Sequence, residues 1–350
     1  MKRRNLLSLV IGSNIVSILP NIANANEEQN KMNENRKWDK VFPQSQNVSI
    51  RQVTFHNRYG ITLVGDLYEP KSGGKNLPAI AVCGPFGAVK EQVSGLYAQT
   101  LAEYGFVTLA FDPSFTGESS GTPRSVASPD INTEDFSAAV DFLTTLPNVN
   151  KNRIGILGVC GWGGFALNAA AMDTRIKATV ASTMYDMSRV TANGYFDQMK
   201  PEDRYRLREV LNEQRTLDYA SNTQAPAPGL PEKLTGKEPD FVQEYWDYYK
   251  TPRGFHPRSI NSNGNWNKTS SLSFMNMPLL SYIDEIRNPV LIIHGERAHS
   301  RYFSEDAFKR LKGKNKELYI VPGAVHCDLY DNKNKKIPWQ MIAEFYKKNL

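Results

Sequence analysis

The stretch Arg153-Ile154-Gly155-Ile156-Leu157-Gly158-Val159-Cys160-Gly161-Trp162-Gly163-Gly164 decides how this chain folds. Its apolar run predicts a buried strand. The run halts at Gly158, passes one residue and presents Cys160. The glycines then lead into Phe165-Ala166-Leu167-Asn168-Ala169-Ala170-Ala171-Met172, which predicts a helix. A strand that turns this sharply into a helix strains the backbone at the turn residue. It needs small neighbours, because the helix passes close behind. This is the context of a nucleophile elbow, with cysteine where serine is usual. A helix N-terminus favours a thiolate, and its free N–H groups suit an oxyanion. The plainer alternative is an inert buried cysteine in a glycine-rich turn. Trp162 stands where a second glycine is usual, so its side chain must point away from the helix–sheet contact.

Outward from the elbow, apolar strands alternate with helices. Strands are predicted at 78–83, 105–111, 178–182, 289–294 and 317–321, and helices at 92–103, 133–146, 304–311 and 338–348. Continuous apolar strands separated by helices predict a parallel sheet covered on both faces. Residues 48–55 and 61–68 predict a hairpin ahead of it. The alternation stops between about 187 and 280. That segment, rich in Tyr, Arg, Asn and Pro, predicts a helical lid inserted into a core of 48–186 and 281–350. Residues 26–47 are polar and Asn-rich, and read as a flexible N-terminal arm.

The chain has 350 residues, 40% of them apolar, enough for one large domain with an insertion. Lys2-Arg3-Arg4, an apolar stretch from Leu6 to Leu19 and Ala23-Asn24-Ala25 form a secretory signal peptide pattern, with cleavage expected after Ala25. The mature chain is expected to be periplasmic or secreted, with no membrane association. The formal charge of +6 includes Lys2, Arg3 and Arg4, and no basic run interleaved with aromatics predicts nucleic-acid binding. Of the three cysteines, Cys83, Cys160 and Cys327, at least one is unpaired within the chain, and Cys160 is expected to be free. Metal and nucleotide motifs are lacking, so no cofactor is expected.

The antiparallel start, the alternating units, the cysteine elbow, the late insertion and a histidine after the last strand together resemble the α/β-hydrolase fold over residues 48–350. Within it, the cysteine in Gly158-Val159-Cys160 and the following Gly163-Gly164 look like the dienelactone hydrolase group. The resemblance implies that His326, in Val321-Pro322-Gly323-Ala324-Val325-His326, is the general base. It either holds Cys160 as thiolate or takes its proton. Ala298 holds the position where that fold commonly carries an aspartate, so three readings stay open: Glu296 as the acid, Asp186 as the acid, or a Cys–His dyad. Gly161 and, by resemblance, Phe86 are the expected oxyanion donors. Pro85 has no N–H to give. Glu91 is placed by resemblance near the resting thiol, Asp112 is a turn-capping residue, and His294 is expected to be structural. The leading expectation is an exported cysteine hydrolase of an ester, thioester or lactone, acting on a small-molecule acyl substrate. The alternatives are a non-catalytic binding protein on the same fold, a peptidase or an acyl transferase.

Overall fold

A computed structural model gives the structure of the protein and describes residues 37–350. The expected signal peptide and residues 26–36 of the expected arm lie outside the described residues. β1 (Val48–His56) and β2 (Thr62–Pro70) form the expected hairpin. Asn57 Oδ1 closes its turn by accepting from the N–H groups of Tyr59 and Ile61, at 3.1 and 3.0 Å. β2 pairs antiparallel with β4 (Val107–Phe111), and β4 pairs parallel with β3 (Leu77–Cys83). β5 (Val149–Val159), β6 (Ile176–Ser182), β7 (Val290–Gly295) and β8 (Lys316–Val321) continue the parallel sheet. The order is β1-β2-β4-β3-β5-β6-β7-β8, and β2 alone runs against the rest. This is the mostly parallel sheet of the α/β-hydrolase fold.

β4, β6 and β7 are buried along almost their whole length, as strands covered on both faces must be. α1 (Val93–Glu103) and α10 (Trp339–Asn349) pack together on the sheet, and α2 (Pro129–Thr144) packs against α3 (Gly161–Met172). α9 (Arg301–Arg310) covers β7 and β8. Ser128 caps α2 and Pro129 occupies its first turn, so the helix starts earlier than its apolar periodicity indicates. Trp162 is buried sideways among Phe111, Phe136 and Phe165, with ring centroids 6.0, 5.4 and 4.9 Å away. That placement lets a bulky residue occupy the elbow without forcing the helix off the sheet.

Between β6 and β7 the chain forms α4 (Met187–Asn193), α5 (Pro201–Ser221), α6 (Asp240–Tyr249), α7 (Ile260–Asn263) and α8 (Ser271–Asn276). Among the described residues this segment contains no strand, only an isolated bridge between Pro226 and Asn267. α5 buries only Leu211 and Asp218.

The flexible arm expected up to residue 47 is corrected from Trp38 onward. Phe42 is buried, Lys40 pairs with Asp66 at 2.6 Å, and the Val41 N–H donates to the Glu91 carbonyl at 3.1 Å. One aromatic anchor and a buried ion pair outweigh the polar composition that suggested a loose segment. Cys83 and Cys327 are both buried and both unbridged.

Candidate active site

The carboxyl ends of adjacent parallel strands are where this class of sheet gathers its chemistry. Here β3, β5, β6, β7 and β8 deliver Phe86, Cys160, Thr183, Ser300 and His326 to one place. Cys160 sits between β5 and α3 with φ 58° and ψ −128°. A non-glycine residue in that region costs about 1–3 kcal/mol, so its surroundings must hold it. The Cys160 N–H donates to the Ser182 carbonyl at 2.9 Å. Its own carbonyl accepts from the N–H groups of Gly163 and Tyr185, at 2.9 and 3.0 Å. A side chain at Gly158 would meet the Trp162 carbonyl and stand 2.8 Å from the Gly163 nitrogen. The close passage of α3 behind the turn therefore requires glycine there.

Four groups hydrogen-bond with the Cys160 sulfur: the backbone N–H groups of Gly161 and Phe86, and the hydroxyls of Tyr330 and Tyr245. The structure thus brings together Cys160, Gly161 and Phe86, as the sequence led us to expect. The insertion clamps the loop that carries Phe86. Asn261 Nδ2 donates to the Phe86 carbonyl at 2.8 Å, and Ser259 Oγ donates to the Gly87 carbonyl at 2.9 Å. Burial pushes the Cys160 thiol above its ordinary value, and the four hydrogen bonds pull it back only in part.

His326 is fully buried on the short turn His326–Leu329 after β8. Its Nε2 lies 3.1 Å from the Tyr330 hydroxyl. Tyr330 therefore touches both the thiol and the imidazole. Nδ1 of His326 lies 2.6 Å from Ser300 Oγ and 2.9 Å from Thr183 Oγ1. Ser300 Oγ is in turn 2.9 Å from His294 Nε2, and His294 Nδ1 is 2.6 Å from Ser304 Oγ. Burial pushes His326 well below the ordinary imidazole range, and the neighbouring His299 and His294 add to this. His294 is pushed down to about 3, chiefly by burial. Thiol and imidazole are thus both neutral at rest. Of the two roles expected of His326, holding a thiolate or taking a proton, the resting electrostatics favour the second.

The carboxylate expected beside His326 is not there. Glu296 is exposed, and its Oε2 accepts from the Gly323 N–H at 2.7 Å. The loop after β7 turns so that Ser300 faces the imidazole and Glu296 faces out. Asp186 caps α4, accepting from the Arg189 N–H at 2.9 Å and the Ser188 hydroxyl at 2.5 Å. Glu91 is likewise away from the thiol. It belongs to a buried ion cluster in which Lys90 Nζ pairs with Glu91 at 2.6 Å, with Asp112 at 3.1 Å and with Glu118. Arg258 of the insertion joins that cluster through Glu91 at 2.6 Å and Asp39 at 3.0 Å. Asp112 closes its own loop by accepting from the Lys90 and Glu118 N–H groups, each at 2.8 Å.

Sequence reasoning did not single out Tyr330, Tyr245, Ser300 or Thr183. Tyr330 lies four residues after His326 on the same helical turn, a spacing that brings side chains together. Ser300 and Thr183 carry no comparable signal.

Above Cys160 lies a cavity of about 290 Å³ lined by twelve residues, eight of them from the insertion. Seven are aromatic, and Phe86 stacks on Trp266 with centroids 4.2 Å apart.

Residues 59–327 match the family described as X-Pro dipeptidyl-peptidase (S15 family). The uncharacterised protein PA2218 of Pseudomonas aeruginosa is 61% identical over 90% of this chain and 85% of its own length. The crystal structure of that protein superposes with a TM-score of 0.87, covering 90% of this chain and 98% of the other. The thiohydrolase aneE of Aspergillus aculeatus is 32% identical over 51% of this chain and 54% of its own length. The α/β hydrolase GrgF of a Penicillium species shares the fold, with a TM-score of 0.70 and 21% identity over 86% of this chain and 99% of that one.

Proposed function

The chain belongs to the S15 peptidase family of hydrolases, and on that premise we propose that it is a cysteine-dependent acyl hydrolase acting on a thioester, ester or lactone. The convergence of the Phe86 and Gly161 N–H groups on the Cys160 sulfur carries this reading. Two preorganised backbone donors at an elbow nucleophile suit a carbonyl oxygen that gains negative charge. The thiohydrolase aneE, similar over half the chain, lends support to a thioester.

In the proposed reaction the Cys160 sulfur attacks the acyl carbon as its proton passes to the Tyr330 oxygen. Tyr330 simultaneously gives its own proton to Nε2 of His326. The new S–C bond forms, and the carbonyl oxygen takes the electron pair between Phe86 and Gly161. His326, now charged, donates through Nδ1 to Ser300 where a triad would offer a carboxylate. When the bond to the leaving group breaks, the proton returns through Tyr330 to that group. Water then attacks the acyl carbon and gives a proton to His326; the C–S bond breaks, the sulfur takes that proton back through Tyr330, and the acid leaves with the thiol restored.

A second reading, a non-catalytic binding protein, is favoured by one observation: the hydrogen-bond partners of the His326 Nδ1 are the hydroxyls of Ser300 and Thr183 and not a carboxylate. Treating the protein with an electrophilic acyl probe separates the two. Stoichiometric mass gain on Cys160, lost in Cys160→Ala, is expected of the hydrolase; no adduct at any pH up to 9 sinks it. A peptidase or acyl transferase would use the same first step and differ in the acceptor. We also propose that the protein is exported, from the pattern in residues 2–25; an N-terminus beginning at Asn26 in the native protein is the expected measurement, and an intact Met1 terminus refutes it.

A further inference from the structure

We propose that the acyl group received by Cys160 is uncharged and carries a single aromatic ring close to its carbonyl, as a cinnamoyl group does. This deepens the hydrolase reading and rests on it. Among the twelve residues lining the cavity there is no Asp, Glu, Lys, Arg or His. Three ionisable groups near the cavity are engaged elsewhere. Asp186 caps α4, Arg189 pairs with Asp197 and Asp306 at 2.5 and 3.0 Å, and Arg258 is bound to Glu91 and Asp39. A charge on the acyl group would leave water and gain no counter-charge, which disfavours it strongly.

The lining then says what replaces charge. Phe86 and Trp266 form a stacked plane beside the sulfur, and Tyr195, Tyr245, Tyr249 and Tyr330 present further rings. Flat faces at this spacing favour another ring. The Tyr185 and Tyr245 hydroxyls, 3.1 Å apart, give neutral hydrogen-bonding handles for a ring substituent. A volume of about 290 Å³ lies at the low end of the range for small-ligand sites, about 300–1,000 Å³. One ring and its carbonyl arm fit that space better than a long chain.

The same argument bears on the activity for which the family is described. A dipeptidyl substrate carries a free ammonium two residues from the scissile carbonyl, and this cavity offers it no carboxylate. The ring-binding surface comes mostly from the insertion, so the specificity of this chain is separable from the elbow it shares with its relatives.

The test is a panel of p-nitrophenyl esters of cinnamate, hexanoate and monosuccinate, with Gly-Pro-p-nitroanilide beside them. We expect kcat/KM for the cinnamoyl ester at least about tenfold above the hexanoyl and about a hundredfold above the succinyl ester, with no cleavage of the anilide. Trp266→Ala should shrink the cinnamoyl-to-hexanoyl ratio at least fivefold. A succinyl ester or anilide turned over as fast as the cinnamoyl ester overturns the proposal. So does a hexanoyl ester that matches it, or a ratio unmoved in Trp266→Ala. If no ester is turned over, the hydrolase reading fails, and calorimetry decides the pocket chemistry by itself. N-methylcinnamamide should then bind at least tenfold tighter than N-methylhexanamide or N-methylsuccinamate, and equal affinities refute the inference.

Discussion

Replacing Tyr330 by phenylalanine removes one oxygen atom from the most crowded point of the site. In the wild type that oxygen touches the Cys160 sulfur and lies 3.1 Å from Nε2 of His326. Burial pushes the phenol well above its ordinary value, so it does not hold a negative charge. It can move a proton only by accepting one and giving one together. Loss of such a path costs what positioned acid–base catalysis contributes, about 10²–10⁴ in rate, or roughly 3–5 kcal/mol of barrier at 1.36 kcal/mol per tenfold. The fold loses less. Nε2 of His326 is left without its buried partner, worth about 1–3 kcal/mol. We therefore expect kcat to fall at least a hundredfold while KM changes little, because the phenyl ring keeps its place in the cavity wall. Tyr245→Phe is the matched control: that hydroxyl also reaches the sulfur and its ring also packs against His326, yet its other hydrogen-bond partner is the Tyr185 hydroxyl at 3.1 Å and not the imidazole. It should lose no more than about tenfold, the worth of a single hydrogen bond. Initial rates with a phenyl thioester, taken with melting curves for both variants, make the comparison. If Tyr330→Phe keeps a rate within threefold of wild type, or if Tyr245→Phe is equally damaged, the proton does not travel through Tyr330.

Four further outcomes are expected. Ser300→Ala should lower kcat about ten- to a hundredfold by removing the acceptor that steadies a charged His326, whereas Glu296→Gln and Asp186→Asn should leave it within about threefold; steady-state kinetics on the three variants ranks them. Alkylation of Cys160 by iodoacetamide should follow an apparent pKa above the ~8.5 of a free thiol, because burial outweighs the hydrogen bonds; a midpoint below 7 would mean a resting thiolate. His294, held near 3 in the fold against 6.5 unfolded, binds fewer protons folded than unfolded between those values, so its contribution to stability rises as pH rises across that window, and is lost as pH falls, by up to about 1.4 kcal/mol per unit. Asp135, raised to about 6, works in the opposite sense, so the check is the difference in melting-temperature slope between wild type and His294→Gln from pH 7 to 5. Gly158→Ala should cost at least about 3 kcal/mol or yield no soluble protein, because its methyl meets the backbone of the turn and not a movable side chain; a wild-type melting temperature contradicts the packing described.

The elbow and the sheet were legible because their signals are local. A glycine-bounded apolar run followed by an alanine-rich stretch specifies strand, turn and helix with little help from the rest of the chain. Cys160, Gly161, Phe86 and His326 were singled out in the sequence because each follows a recognisable strand of the fold it resembles, and the structure places them near one another. The partner of His326 was not. Glu296 lies closer in sequence to the strand end, but the loop after β7 closes on Gly323 and carries Glu296 outward with it. Which of the five loop residues 296–300 faces inward depends on the neighbouring loop after β8, and no periodicity encodes that. The docking of residues 38–45 escaped for a similar reason. Its polar composition suggested solvent, while its anchoring depends on Phe42 and on acceptors far along the chain, Asp66 and Gln99 among them.

The ion cluster around Lys90 fastens one edge of the roof of the site by buried charge. Arg258 fastens one margin of the insertion to Glu91, and Asn261 and Ser259 stitch the same margin to the loop that carries Phe86. Drawing Arg258 away would strand a buried carboxylate, the kind of separation that is strongly opposed inside a protein. The opposite margin is held by other contacts: Arg189 pairs with Asp306 of α9 at 3.0 Å, the Phe196 N–H donates to the Tyr302 hydroxyl at 3.0 Å, and α5 buries only Leu211 and Asp218. The two margins therefore differ in what holds them: buried charge on one side, a half-exposed ion pair and a single hydrogen bond on the other. The Phe86 N–H is aimed at the sulfur from the margin that buried charge fastens, so the oxyanion site is built on the firmer side of the roof.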